Sequence, residues 1–364
     1  MVGYLNMQRL RRQRFTVAGL GLAAMALFVA ACGSSSSGGG GSSGSGLSGT
    51  LNGSGSTFQL TFQQTAIQSF KSVQSGMTVN YGGGGSGKGR TDLASNVVQY
   101  AGSDTAPIPS EEVASFKGKT VLYFPVIIGP ITVSYNVPGI KSGLKLDAPT
   151  IADIFQAKIT KWNDPKIASQ NPGMKLPSTT ITIARRSDSS GTTQNFSEFL
   201  VEGAPGVWKL GSDSTINWPA TSRGGNANGG VAQIVKTTTG AVGYVDYADA
   251  KASGLTWASV KNKDGQYVAP STQSATEAAN NVTMKPDLTF SAIWQAGSGS
   301  YPITYQSWDL VYQKQSSTNT TKMLKAYIGY LLGDGQKLLP ELGYAPLPSS
   351  MDQQAKAQLS KIGT

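Results

Sequence analysis

Histidine is absent from all 364 residues, and cysteine occurs once, at Cys32. Without histidine there is no Ser-His-Asp or Cys-His catalysis, and a lone cysteine leaves no His/Cys zinc site. One cysteine also rules out an internal disulfide. Charged residues make up only 14% of the chain, with no Lys/Arg block dense enough to argue for nucleic acid. No cluster of metal ligands is evident either. The chain is expected to work without a cofactor or metal, and not as an enzyme.

What is present begins with Arg9, Arg11, Arg12 and Arg14, followed by an apolar run from Phe15 to Ala31. The run is short for a transmembrane span. A basic region, a short apolar run and small residues before a cut describe an export signal over residues 1–31. Cys32 follows Ala30-Ala31, a pattern that resembles a bacterial lipobox and implies cleavage before Cys32 with a lipid on its sulfur. Residues 32–47 then read as the lipidated cysteine and a tether, because Ser34 to Ser48 is nearly all Ser and Gly. The expected location is the extracytoplasmic face of the cell membrane. Loss of the four arginines in 1–31 brings the formal charge of +10 to about +6, a mild bias suited to anionic ligands. The remaining length is enough for two domains.

The stretch Ala184 to Leu200 carries the most chemistry. Thr180-Ile181-Thr182-Ile183 is β-rich, while Phe196, Phe199 and Leu200 recur at helical spacing. The segment therefore reads strand, Ser-Asp-Ser-Ser-Gly turn, helix, with Ser190, Gly191, Thr192 and Thr193 at the helix N-terminus. That end offers unpaired N–H groups and partial positive charge. Arg186 stands at the strand end, and Asp188 can brace its guanidinium. Together they make a site for a compact oxyanion, although an ordinary N-cap with a solvated Arg186 fits the turn alone.

Two more turns have this character. Gly53-Ser-Gly-Ser-Thr-Phe58 places Ser56 and Thr57 before an apolar-periodic helix. A strand over 77–81 runs into Gly82-Gly-Gly-Gly-Ser86-Gly-Lys88. Its spacing matches a P-loop, but Gly89 stands where the magnesium-binding Ser/Thr belongs. Its glycines still let N–H groups crowd an anion. A short strand over 97–104 ends in Asp104, which could simply cap the following turn, and Ser110-Glu-Glu112 reads as a helix start. Apolar runs at 121–136, broken by Gly129-Pro130, and at 300–312 read as crossings between domains. Helices are expected at 150–157, 165–170, 231–236, 320–333 and 351–362, and a buried strand at 240–245. The alternation indicates α/β architecture with largely parallel sheets, whose carboxyl-end loops form the ligand crevice.

Gly53-Ser-Gly-Ser-Thr-Phe58, Tyr81-x4-Ser86-Gly87, Gly102-Ser-Asp104 and Arg185-Arg-Ser-Asp-Ser-Ser-Gly-Thr192, in that order, make the chain similar to the phosphate-binding lipoproteins of Pst-type ABC importers. Lys161-Trp-Asn-Asp164 and Gly240-Ala-Val-Gly-Tyr-Val245 extend the resemblance, which runs from about Leu51 to the C-terminus. It implies a two-lobed type II periplasmic-binding-protein fold, each lobe a mixed, mostly parallel sheet flanked by helices, closing on one inorganic phosphate. Lobe one would be 48–127 with 305–364, and lobe two 130–302. The ligand groups it implies are Thr57, Phe58 through its backbone N–H, Ser86, Asp104, Arg186, Ser190, Gly191 and Thr192, with Asp188 orienting Arg186. The implied partners are ABC permease subunits, with the membrane reached through Cys32 and the protein itself a monomer.

Three departures stand out. Gln59 replaces a common proline, so the first helix is expected to begin differently; residues 82–85 are four glycines; and Gly229 follows Asn228 where relatives often carry an acid, making a contact from that loop doubtful. A carboxylate in an anion site suits a ligand that brings its own proton. Asp104 would thus separate hydrogen phosphate from sulfate. The competing readings are a site for another tetrahedral oxyanion such as sulfate or molybdate, an extracellular phosphoesterase, and a structural surface protein without anion affinity.

Overall fold

A computed structural model describes residues 46–364; the signal-like run and Cys32 lie outside the described residues. Twelve strands form two sheets: β1 Gly49–Gly55, β2 Met77–Gly82, β3 Tyr100–Ser103, β4 Val121–Tyr135, β5 Lys145–Leu146, β6 Thr182–Arg186, β7 Arg223–Gly225, β8 Ala241–Asp246, β9 Thr256–Trp257, β10 Ser259–Lys261, β11 Tyr267–Val268 and β12 Thr304–Tyr312. The large sheet runs β2-β1-β3-β12-β4-β8-β6-β7, with β9 also on β4; β11-β10-β5 make the small one.

The long strand β4 explains how one sheet serves two lobes. Val121–Pro130 pairs antiparallel with β12, and Ile131–Tyr135 pairs antiparallel with β8. The Gly129-Pro130 pair does not break the strand. It marks the change of partner, at a residue with no N–H to give a ladder. On the far side of β12, β3, β1 and β2 are parallel to one another; beyond β8, so are β6 and β7. The result is two parallel groups joined through antiparallel crossings, the two-lobed α/β fold the sequence leads one to expect. Past its first residue β4 is buried throughout, which is why it reads as an unbroken apolar run.

The helices include α1 Leu60–Val73, α2 Ser86–Ala94, α3 Ala148–Phe155, α4 Pro165–Gln170, α5 Gly191–Gly203 and α6 Ala227–Thr237. Asp147 caps α3 and Asp164 caps α4, each followed by a proline in the first turn. The Lys161-Trp-Asn-Asp164 segment meets the Gly240 turn directly, because the buried Trp162 Nε1–H donates to the Gly240 carbonyl at 2.9 Å. Aromatic packing ties these elements together: Phe196 of α5 stacks on Tyr244 of β8 with ring centroids 4.6 Å apart. In the first lobe Phe58 stacks on Tyr305 of β12 at 4.1 Å.

Ser110-Glu-Glu112 does not start an α-helix. It leads into a single 3-10 turn at Val113–Phe116, and the Glu112 carboxylate takes both Nε and Nη2 of the fully buried Arg90, at 2.7 Å each. A buried guanidinium needs such a fork more than the turn needs a cap.

Candidate functional site

The loops after β1, β2, β3, β6 and β7 meet, all at strand carboxyl ends. After β1, the chain makes an open turn before α1. No side chain caps α1 from Gln59; instead Ser56 Oγ accepts the N–H groups of Phe58 (3.1 Å) and Gln59 (3.4 Å). The expected donor at Phe58 is thus bonded to Ser56. After β2, Ser86 opens α2, a helix the sequence does not announce.

Asp104, just past β3, is buried; its N–H donates to Ser86 Oγ at 3.1 Å, and its carboxylate accepts on both oxygens. Its Oδ1 takes the hydroxyls of Ser56 and Ser307, both at 2.5 Å, and its Oδ2 takes that of Ser86 at 3.2 Å. Burial raises its pKa, while Ser307, Ser56, Arg186 and Ser86 pull it back. Asn195 of α5 donates to its backbone carbonyl at 2.7 Å, so Asp104 does more than cap a turn.

Arg186 ends β6 facing inward and buried, with its N–H donated to the Tyr244 hydroxyl at 3.0 Å. Its Nε donates to Asp188 at 2.8 Å and its Nη2 closes the fork on the same carboxylate. Burial opposes the charge of Arg186, but Asp188 more than offsets this and raises its pKa; the pairing holds Asp188 below the usual carboxylate range despite its own burial. The remaining Nη1 reaches Thr192 (3.3 Å) and Asn228 (3.2 Å). Ser190 caps α5 through the Thr193 N–H at 3.2 Å. The bracing of Arg186 by Asp188, which the turn sequence suggests, is therefore present.

The two sides touch. Gly87 N–H donates to the Ser189 carbonyl at 3.3 Å, and Asn228 Nδ2 donates to Thr57 Oγ1 at 3.3 Å. A Cβ at Gly191 would stand 2.5 Å from Asp104 Cβ and from Ser86 Oγ, so only glycine permits this approach. Thr57, Phe58, Ser86, Asp104, Arg186, Ser190, Gly191 and Thr192 are all buried in this one region.

The 226–230 loop also reaches this region. Asn228 is fully buried and bridges Arg186 to Thr57, and Ala227 N–H donates to Asp188 at 3.1 Å. The contact needs no acid at position 229, because the amide of Asn228 itself offers an acceptor to Arg186 and a donor to Thr57. Ser56, noted with its turn but not among the implied ligand groups, belongs to the site, as do Ser307 and Tyr305, which were not expected there. The Tyr305 hydroxyl is buried and makes no hydrogen bond, which leaves a donor available beside Phe58. The arrangement offers one cation, helix N-termini and hydroxyl donors, set against one carboxylate acceptor.

Comparison with known proteins agrees with this geometry. Residues 40–335 match the model of the PBP superfamily domain. The phosphate-binding protein PstS of Pasteurella multocida is 35% identical over 314 residues, 85% of this chain and 89% of that protein. The phosphate-binding protein PstS 2 of Mycobacterium tuberculosis is 34% identical over 360 residues, 94% of this chain and 96% of its own. Among solved structures, the high affinity periplasmic phosphate-binding protein PfluDING, bound with phosphate, superposes with a TM-score of 0.70 at 18% identity, covering 85% of this chain and 93% of that one. That last likeness concerns the fold; the sequence matches carry the family. The chain belongs to the PstS phosphate-binding proteins of the PBP superfamily.

Proposed function

We propose that this protein binds inorganic phosphate between its lobes and delivers it to the permease of an ABC importer. The observation that carries the reading is a buried, braced Arg186 set among donors and opposite a buried acceptor, Asp104. A dianion satisfies the cation and the donors. Only an oxyanion that carries a proton satisfies the carboxylate too, and hydrogen phosphate does both. Thr57, the Phe58 N–H, Ser86, Ser190, Gly191 and Thr192 complete the set of ligand groups. The Phe58 N–H then exchanges its bond to Ser56 for one to the ligand. The lobes are 48–127 with 305–364, and 130–302, hinged where β4 and β12 cross. Charge-assisted hydrogen bonds of about 1.5–3 kcal/mol each let a few such groups hold a small, desolvated ion.

Isothermal titration of phosphate and sulfate into protein lacking residues 1–32 tests this. Phosphate binds and sulfate binds far more weakly; tighter binding of sulfate or molybdate would transfer the site to that oxyanion. Gly191→Ala should lower phosphate affinity at least tenfold, about 1.4 kcal/mol, because its methyl would sit 2.5 Å from Asp104 Cβ and hold the two sides apart. The same titration reads this out; an affinity unchanged from the parent protein would mean that the sides need not meet.

The protein further acts from the membrane surface, as a monomer tethered through lipid on Cys32. Support comes from the signal-like run ending at that cysteine and the Ser/Gly stretch after it. Among the described residues no helix is long and apolar enough to cross a membrane. Cys32→Ser should abolish metabolic lipid labelling, leaving either released protein or an uncleaved precursor. Labelling that survives the substitution would overturn the anchor.

A further inference from the structure

Behind Asp104 lies a chain of buried side chains that plays no direct part in holding an anion. Ser307 Oγ sits between Asp104 Oδ1 at 2.5 Å and Gln59 Nε2 at 2.8 Å. Gln59 Nε2 also donates to the Trp308 carbonyl at 3.0 Å, and Gln59 Oε1 accepts from Gln63 Nε2 at 2.9 Å. Gln63 Nε2 in turn reaches both oxygens of Asp309 at 3.2 Å, while Gln63 Oε1 accepts from the Tyr327 hydroxyl at 2.7 Å. Gln59, Gln63, Ser307, Asp309 and Tyr327 are all fully buried.

The chemistry gives this chain a direction. A backbone carbonyl only accepts, so the group that Gln59 turns toward Trp308 is its NH2. The same NH2 then donates to Ser307 Oγ. The single proton of Ser307 is left for Asp104. At the far end, the Asp309 carboxylate demands the NH2 of Gln63, which fixes Gln63 Oε1 toward Tyr327. Gln59 is thereby oriented by a carbonyl that cannot donate, and Gln63 by a carboxylate that only accepts when ionised.

We propose that Gln59, held in place by Gln63, is a positioning residue for anion selectivity: it commits the Ser307 hydroxyl to Asp104 Oδ1 and so keeps Oδ2 as the oxygen that meets the proton of the ligand. The inference rests on the reading of Asp104 as acceptor for hydrogen phosphate. Oδ2 is the oxygen turned toward α5, since a Cβ at Gly191 would lie 2.7 Å from it. Without the amide of Gln59, the Trp308 carbonyl loses its donor and competes for the Ser307 proton. Asp104 then loses a fixed donor on Oδ1, its carboxylate is less stabilised, and its pKa rises further. The charged group facing Asp104 is Arg186 of β6; Tyr81 of β2, Tyr305 of β12 and Tyr344 around it are kept neutral by burial.

The test is a cycle of Gln59→Met, Ser307→Ala and the double variant, with phosphate titration and sulfate competition at pH 8. That pH lies above the value of about 7 to which burial pushes Asp309. Gln59→Met should lower the phosphate/sulfate affinity ratio by about fivefold or more, the scale of one ordinary hydrogen bond. Ser307→Ala should lower it at least as much, and the double variant no further than Ser307→Ala, because the two act through one proton. Sulfate binding by Gln59→Met should also begin to rise at a higher pH on acidification than in the parent protein. A lower urea midpoint with an unchanged ratio and pH profile would mean a merely structural role and overturn the inference, as would additive losses. If Gln59→Met does not fold, Gln63→Met, which leaves the NH2 of Gln59 in place but frees it to turn, should show a smaller drop in the same ratio; no drop would overturn the inference. Failure of the parent protein to bind phosphate overturns the reading of Asp104 and this inference with it, whereas a parent that binds and variants that match it overturn the inference alone.

Discussion

Arg186→Ala lowers phosphate affinity at least a hundredfold, while Arg185→Ala changes it by less than about threefold. A hundredfold is about 3 kcal/mol, the scale for truncating one member of a desolvated charge pair. Two adjacent arginines at the end of one strand point to opposite faces. Arg186 faces inward, where its fork is closed by Asp188 and its free nitrogen reaches Thr192 and Asn228. Arg185 is half-buried on the other face and spends its donors on Ser222 and on the Arg186 carbonyl. Truncating Arg186 also strips the half-buried Asp188 of its partner, which leaves a negative charge beside an incoming anion. Calorimetry on both variants, with circular dichroism to check folding, decides the matter. Equal losses would place the anion on the wrong face of β6.

The strand-turn-helix around Arg186 was legible because each part carries its own local signal. Alternating Thr and Ile give β6 its start, Ser190 can cap, and Phe196, Phe199 and Leu200 supply a helical face that packs on Tyr244. The crossing strand was legible for a similar reason: a segment buried on both faces is apolar throughout. Its Gly-Pro pair marked the crossing, although the strand runs through it. By contrast, Ser86–Ala94 has one large apolar residue, Leu93, and two glycines, so no periodicity predicts α2. Tertiary contacts hold it instead, above all the fork between Arg90 and Glu112. Of the hydroxyls on Asp104, that of Ser307 was hidden by distance along the chain, 203 residues away. Asn228 was in view, but no role was read for it. Its neighbour Gly229 drew notice only for the acid that relatives often carry there, whereas the asparagine itself sits in the first turn of α6 and contacts Arg186. Gln59 was noticed only for the proline it replaces. Its amide acquires a role once β12 lies against the start of α1.

Asp104→Asn should lower the phosphate/sulfate affinity ratio at least tenfold, about 1.4 kcal/mol of differential binding. The hydrogen bonds around the carboxylate dictate how the amide settles. Ser56 and Ser307 both donate to Oδ1 at 2.5 Å, so the remaining oxygen of the new amide takes that position. Its NH2 falls where Oδ2 was, beside Ser86 and toward Gly191. The ligand thus meets a donor in place of an acceptor at nearly constant volume. Phosphate can rotate and present an unprotonated oxygen, losing moderate affinity. Sulfate, which faced a buried negative charge, gains a hydrogen bond and loses a repulsion. The pH dependence separates this account from a packing effect. Because burial raises the pKa of Asp104, the parent protein protonates this group as pH falls, starting above the ordinary carboxylate value of about 4. Protonation removes the negative charge and supplies a donor, so sulfate affinity of the parent should climb on acidification through that range. The Asp104→Asn variant has no such titration, and its sulfate affinity should stay level. A ratio unchanged by Asp104→Asn at neutral pH, or a variant whose sulfate affinity climbs as steeply as the parent's, would assign selectivity to another group.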